Sequence, residues 1–323
     1  MPKRNIIDRL KAGESLLMDG ATGSELQRRG FDVSQGAVQG KGVDPETGWS
    51  GSIGVWSAPA NLDAPDLVRK IHEDYLNLGA DIIISNNFWT GRSMMGIIGR
   101  EDQWEECTRR GGEIAVEARN AVNPEAYVAG GFAPSFMAET GNELRKEIEG
   151  MARVLAGAGV DFLLPEYFGG DTERDAMEDC RVAVDACAKT NLPVFLGICY
   201  ARENGKMHYG QSFDDFAKEL KGHKVDGILL MCTSPQAISA CLPNLRKAFD
   251  LPIGAYAEVG YTENLKFSGS QGEQFFDIGT YGVTPDKYAE YAREWKKMGA
   301  QIIGGCCATT PEHIKAIAPV VKG

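Results

Sequence analysis

The chain has 323 residues, is 43% hydrophobic and 24% charged, and carries a formal net charge of -11 at pH 7. That balance supplies enough apolar surface for a large core, and with no basic patch to offset it the negative charge argues against a nucleic-acid partner. No run approaches the ~20 apolar residues of a membrane span, and the segment after Met1-Pro2-Lys3-Arg4-Asn5 lacks the apolar centre of a signal peptide, so a cytoplasmic protein with mostly reduced cysteines is expected.

Taken in order, the first apolar run, Leu16 to Met18, opens onto the turn Asp19-Gly20-Ala21-Thr22-Gly23. Residues 30–57 then form a long Gly/Ser/Gln/Asp-rich segment carrying Trp49 and Trp56, read as a surface loop or lid. Pro65 to Leu78 places Leu67, Val68, Ile71, Tyr75 and Leu78 at helical spacing. It leads through Gly79-Ala80-Asp81 into Ile82-Ile83-Ile84, and the joint recurs at Gly159-Val160-Asp161 before Phe162 and at Gly299-Ala300-Gln301 before Ile302. A helix ending on glycine and followed at once by a buried strand is the αβ joint of a parallel sheet. The remaining strand candidates are Tyr127 to Ala129, Val194 to Ile198, Gly227 to Met231 and Ile253 to Ala255. Helical patterns separate them at Gln103–Ala121, Asn142–Gly157, Asp171–Thr190, Phe213–Lys221, Pro235–Phe249 and Pro285–Met298. A second glycine-rich aromatic loop covers 260–282. Eight alternations without a linker predict an α/β fold, a (β/α)8 TIM barrel in a single domain over 1–323, with a doubly wound open sheet as the alternative.

In a barrel, the residues after each strand share one rim, and that rim receives Cys199, Cys232, Cys306 and Cys307, four of the eight cysteines. Gly304-Gly305-Cys306-Cys307 hands over to a helix start at Thr310-Pro311. Clustered thiols in a reducing compartment suggest a metal, and a catalytic zinc uses three protein ligands with one open position. Gly304 and Gly305 are expected to let the backbone turn sharply enough for both cysteines to reach one ion. Cys232, followed by the helix start Ser234-Pro235, is preferred over Cys199 as third ligand. The competing readings are cysteines that simply pack, and a vicinal disulfide. Cys107, Cys180, Cys187 and Cys241 fall on helices and are read as packing residues. His72 and His313 also fall on helices and are read as surface residues. Asp19 either caps the following helix or presents a carboxylate to an amino group. Glu166, directly after an apolar strand, is a second carboxylate in need of a partner.

In this combination the chain resembles the zinc-dependent homocysteine S-methyltransferase family over nearly its whole length. The matching pieces are Met18-Asp19-Gly20-Ala21-Thr22-Gly23-Ser24-Glu25-Leu26, Val55-Trp56-Ser57-Ala58, His72-Glu73-Asp74-Tyr75, Cys232-Thr233-Ser234-Pro235 and Gly304-Gly305-Cys306-Cys307-Ala308-Thr309-Thr310-Pro311-Glu312-His313-Ile314. The resemblance implies a (β/α)8 barrel, Zn2+ held by Cys232, Cys306 and Cys307, and homocysteine as methyl acceptor. Met231 stands where the family commonly has Asn. Glu166-Tyr167-Phe168 looks like the betaine-using branch, which implies Tyr167 as a contact at the open zinc position. Asp19, Gly20, Ala21, Thr22, Glu166, Asn86 and Asn87 are the expected homocysteine-binding set, and Phe88, Trp89, Trp49 and Trp56 the expected cage for a sulfonium or quaternary ammonium donor. The expected product is methionine, and the partners are these two small molecules, with homo-oligomerisation left open. A barrel using Cys306 and Cys307 as a redox dithiol, or one that binds zinc and thiol without turnover, is the alternative function.

Overall fold

The structure, a computed structural model, describes residues 3–36, 54–133, 140–166, 176–199, 201–207, 210–259 and 283–323. In chain order the elements are α1 (Ile6–Lys11), β1 (Leu16–Leu17), α2 (Thr22–Arg28), α3 (Ala60–Asp63), α4 (Pro65–Asn77), β2 (Ile82–Ile84), α5 (Arg92–Gly96), a 3-10 turn (Glu101–Gln103), α6 (Trp104–Val122) and β3 (Tyr127–Phe132). There follow α7 (Gly141–Gly157), β4 (Phe162–Pro165), α8 (Ala176–Ala188), β5 (Phe195–Ile198), α9 (Phe213–Glu219), β6 (Gly227–Met231), α10 (Pro235–Ala248), β7 (Ile253–Ala257), α11 (Pro285–Lys297), β8 (Ala300–Gly305) and α12 (Pro311–Lys322). Both long loops expected as lids, 30–57 and 260–282, fall largely outside the described residues.

All strand pairs are parallel. They form a five-stranded sheet in the order β1-β8-β7-β6-β5 and a three-stranded sheet in the order β2-β3-β4. Single bridges link the two sheets at both seams, Met18 to Ile82 and Leu163 to Val194. The strands are buried almost throughout, and their side chains alternate with period two between two clusters. One set, Leu16, Met18, Ile82, Tyr127, Phe162, Leu164, Phe195, Leu229, Met231, Tyr256 and Ile302, forms an inner cluster that also contains Cys199. The other set, including Leu17, Ile83, Val128, Leu163, Leu196, Leu230 and Ile303, packs outward against the helices. Ile6 and Leu10 of α1 join the inner cluster, while Cys232 and Cys306 lean on it from the strand ends.

The αβ joints behave as the repeats suggest. Gly79, Gly159 and Gly299 have φ of 92°, 88° and 95°, the left-handed cap that glycine adopts without Cβ strain. The aspartates after them have a second role. Asp81 Oδ2 accepts from the Leu17 N–H at 3.0 Å and Asp161 Oδ2 from the Val128 N–H at 2.7 Å. Asp226 repeats this toward Val194 at 2.9 Å. Each carboxylate thus ties the start of its own strand to the strand beside it. At the third glycine joint Gln301 donates instead to the carbonyls of Leu10 and Glu14, anchoring α1.

Cys107, Cys180, Cys187 and Cys241 are buried packing residues, as expected. The two helix histidines are not at the surface. His313 is 7% exposed; the Thr310 N–H donates to its Nδ1 at 3.1 Å, so its Nε2–H donates to the Val283 carbonyl at 2.7 Å. His72, on the buried face of α4, is fully buried and neither ring nitrogen has a partner. Burial lowers its pKa from 6.5 to about 4. The unfolded chain therefore takes up a proton as pH falls through 6.5, while the folded protein does not until about 4. Stability should fall by about 3 kcal/mol between those values. In denaturant titrations at pH 7 and pH 4.5, His72→Leu should flatten this part of the profile; an unchanged pH slope would contradict it.

Candidate metal centre and substrate rim

Three thiols meet where β6 and β8 end. The sulfurs of Cys232, Cys306 and Cys307 all lie within 4.8 Å of one another, and Cys232 Sγ is 3.5 Å from Cys307 Sγ. The backbone leaving β7 splints them. The Tyr256 carbonyl accepts from the Cys232 N–H (3.1 Å) and the Ala257 carbonyl from the Cys306 N–H (2.8 Å). The Glu258 N–H then donates to the Thr233 carbonyl (3.2 Å) and the Val259 N–H to the Cys307 carbonyl (3.1 Å). Tyr288 locks the same edge from α11, donating to the Gly304 carbonyl at 2.7 Å while accepting from the Ala257 N–H at 3.0 Å. One strand thus carries both cysteine turns at a fixed spacing. Cys199 instead lies buried in the inner cluster.

The two glycines before the cysteines serve a different purpose from the one expected. Gly304 and Gly305 lie inside β8, and neither has positive φ. What they supply is clearance. A Cβ on Gly304 would meet the Asp19 carbonyl at 2.7 Å and Met18 Cβ at 2.8 Å, and one on Gly305 would meet Thr309 Oγ1 at 2.5 Å. The left-handed turns are made by Cys232 itself (φ 43°) and by Ala308 (φ 62°). Holding non-glycine residues there costs about 1–2 kcal/mol each. Trp56 (φ 52°) and Trp89 (φ 62°) share the strain, so four of the five described non-glycine residues with positive φ belong to the cysteine turns or the expected cage. Such strain persists only where surrounding contacts over-determine it, and it clusters at functional sites.

The sulfur set suits a soft divalent metal. With Zn–S bonds near 2.3 Å, two sulfurs on a tetrahedron stand about 3.8 Å apart, close to what the thiols already adopt. Hydrogen bonds from Cys232 and Cys306 hold the Cys307 thiol well below the ordinary range, whereas the same contacts push Cys232 up.

Asp19 follows β1 and is completely buried. It is not the cap of α2, whose N-cap is Ala21. Its Oδ2 accepts from the Ile84 N–H at 2.9 Å, and its Oδ1 has no partner. Burial, reinforced by the charge of Glu166, raises its pKa well above the usual carboxylate range. Glu166 follows β4 and is 5% exposed. Burial pushes it up to about 8, although the Tyr256 hydroxyl donates to its Oε1 at 2.9 Å. Gly197 makes room for this pair, since a Cβ there would lie 2.6 Å from the Tyr256 hydroxyl. Tyr256 escapes sequence reading because β7 runs two residues past its predicted end at Ala255. The alternation Ala255-Tyr256-Ala257 was the available signal. In the turn 19–23, the Ala21 N–H is taken by Thr309 Oγ1 at 3.2 Å, which corrects its expected use as a substrate donor. Gly20 admits the Tyr75 hydroxyl and Thr309, and Gly23 admits the Trp56 indole; Thr22 is the first residue of α2.

Asn86 and Asn87 are built into the wall behind the rim. The Asn86 amide is bonded to Ser57 Oγ (2.7 Å), the Ser57 carbonyl (3.0 Å) and Asn61 Oδ1 (2.9 Å). Asn87 donates to the Thr108 carbonyl at 2.8 Å. The Asn86 amide and the Asn87 Nδ2 thus support the loop between β2 and α5 through α3 and the residues leading into it and through α6, while Asn87 Oδ1 has no partner. Phe88 and Trp89 lie 4.8 Å apart in one cluster with Met94 and Ala133, against which Trp56 also packs. Trp89 is the buried member, and Phe88 and Trp56 are half-buried. Tyr167 and Trp49 lie outside the described residues.

Comparisons with known proteins agree on one family. The homocysteine S-methyltransferase family profile matches residues 16–321. Homocysteine S-methyltransferase 3 of Zea mays is 28% identical over 339 residues, covering 95% of this chain and 90% of its own. Betaine–homocysteine S-methyltransferase 1 of Rattus norvegicus is 27% identical over 334 residues, covering 98% and 74%. In fold, the metallated form of the homocysteine methyltransferase MmuM from Escherichia coli superposes with a TM-score of 0.74 at 22% identity, over 97% of this chain and 98% of that one. The protein belongs to the homocysteine S-methyltransferase family.

Proposed function

We propose that the protein is a zinc-dependent methyltransferase that moves a methyl group from a small activated donor to the thiol of homocysteine, giving methionine. The observation that carries the metal reading is the convergence of Cys232, Cys306 and Cys307. The frame is read as one closed (β/α)8 barrel domain, supported by the bridges at both seams. A zinc ion held by the three thiolates supplies acidification of the acceptor thiol, and three anionic ligands keep that sulfur electron-rich.

The chain's own residues do the rest. The unpartnered Oδ1 of Asp19 and the carboxyl of Glu166 receive the substrate ammonium, which offsets the cost of burying both acids. Gly20 and Thr22 line the turn beside it. Tyr256 fixes the Glu166 rotamer. The acceptor sulfur attacks the donor methyl carbon in line; a C–S bond forms, and the bond from methyl to the cationic sulfur or nitrogen breaks. Its electron pair stays on the leaving group, which departs as a neutral sulfide or amine. The rings of Phe88 and Trp56 would offer their faces to the donor's cation, with Trp89 as their backing. Asn86 and Asn87 act through the loop they hold.

The test is methionine formation from homocysteine with S-methylmethionine, a dimethylsulfonium compound, glycine betaine and methyl-folate as donors. At least one of the first three should support turnover and methyl-folate should not; the reverse would overturn the donor class. The redox-dithiol alternative is disfavoured by the third sulfur 3.5 Å from Cys307. A dithiol needs no third thiol.

A further inference from the structure

The turn after Cys307 is gripped from outside the sheet by one helix. Four contacts from α2 or its leading residues reach two consecutive residues, Ala308 and Thr309, and Thr309 passes the hold on to Cys306. The Ala21 N–H donates to Thr309 Oγ1 (3.2 Å), which itself donates to the Cys306 carbonyl (2.7 Å). Ser24 Oγ accepts from the Ala308 N–H (3.0 Å). Arg28 then spans two carbonyls: Nη2 donates to Ala308 (2.7 Å) and Nη1 to Thr309 (3.1 Å). The guanidinium is held in place by Glu25, buried on the same helix, at 2.6 Å. Arg29 ties Glu25 at 3.1 Å and Asp74 of α4 at 2.9 Å.

Ala308 sits at φ 62° in the middle of this grip. An alanine relaxes out of the left-handed region unless its neighbours forbid it, and here its N–H is held by Ser24 while its carbonyl, together with the next one, is held by Arg28. We propose that Arg28 is a positioning residue for the thiolate turn. Its fork keeps Ala308 in the strained conformation and thereby aims Cys306 and Cys307 at a common point with Cys232. This rests on the metal reading given above. A planar fork on two adjacent carbonyls is a task that lysine, a single-point donor, cannot reproduce.

The experiment compares Arg28→Met, Arg28→Lys and Arg29→Met in the full chain. Arg29 shares the Glu25 network but its side chain pairs with Glu25 and Asp74 and not with residues 306–309, so Arg29→Met reports the purely structural cost of loosening α2. The readouts are zinc affinity by competition with a chromophoric chelator, and the sulfur-to-cobalt charge-transfer band of the cobalt-loaded protein. Arg28→Met should weaken zinc binding by about 10- to 100-fold, the range for residues supporting metal ligands. It should also shift the cobalt band, with Arg28→Lys intermediate and Arg29→Met within about two-fold of the parent. Wild-type affinity and spectrum in Arg28→Met would overturn the proposal, and so would equal weakening in Arg29→Met. A parent protein that takes up neither metal would overturn the metal reading itself.

Discussion

Cys306→Ala is expected to abolish tight zinc binding and reduce homocysteine methylation to background. A thiolate-rich structural zinc site binds with an apparent free energy of about 10–16 kcal/mol at pH 7, so losing one of three thiolates removes about two to four orders of magnitude in affinity. The fold should survive. Cys306 leans on the inner cluster without being part of it, and its backbone N–H to the Ala257 carbonyl does not depend on the side chain. Cys199→Ala is the matched control. It removes a buried sulfur from the same cluster and should leave zinc content at one per chain while lowering stability by about 1 kcal/mol, as removal of a small buried group does. Full zinc and full activity in Cys306→Ala, measured by elemental analysis and a methylation assay, would sink the assignment of this cysteine; loss of zinc in Cys199→Ala would move the third ligand.

The second large effect is expected at the carboxylates. Asp19→Asn and Glu166→Gln each remove a buried carboxyl group that has no cation facing it among the described contacts and that the substrate ammonium would hold ionised. Hydrogen bonds to charged groups contribute about 1.5–3 kcal/mol, so each change should raise KM for homocysteine by about 10- to 100-fold while leaving zinc content unaltered. Asp19→Asn should also soften the seam between β1 and β2, because Oδ2 bonds the Ile84 N–H. Glu166→Gln should not, since its bonded partner is the Tyr256 hydroxyl. Unchanged KM in both variants, with normal thermal melts, would show that the amino group binds elsewhere.

Much of this architecture was legible in the residues themselves. Eight apolar runs, three of them entered through glycine joints, marked all eight strands, and Gly304 to Cys307 with Cys232 marked the sulfur cluster. What could not be read was contact between distant segments. Gly304 and Gly305 looked like hinge glycines; Gly304 needs clearance against Met18 and Asp19, about 285 residues away in sequence, and Gly305 against the Thr309 side chain folded back over it. His72 looked solvent-exposed because a lone histidine within an amphipathic helix does not announce which side of the stripe it occupies. Asn86 and Asn87 carry suitable chemistry at the expected rim, yet Asn61 and Thr108 claim it. Arg28 and Tyr256 were invisible because each acts on a turn or acid contributed by another element. Propensity and periodicity fix elements; they do not say which elements meet.

The two seams of the strand ring carry a consequence for the enzyme's softness. Asp19 stands at the seam between β1 and β2, and Glu166 immediately follows β4 at the seam with β5. At these joints the three-stranded and five-stranded sheets meet through single bridges, Met18 to Ile82 and Leu163 to Val194. One amino acid bridging those acids would act as a tie rod across the ring's mouth. Acceptor binding would then do more than fill a pocket: it would draw the half bearing the aromatic loops toward the half bearing the sulfurs, and the donor would arrive at a ring already tightened.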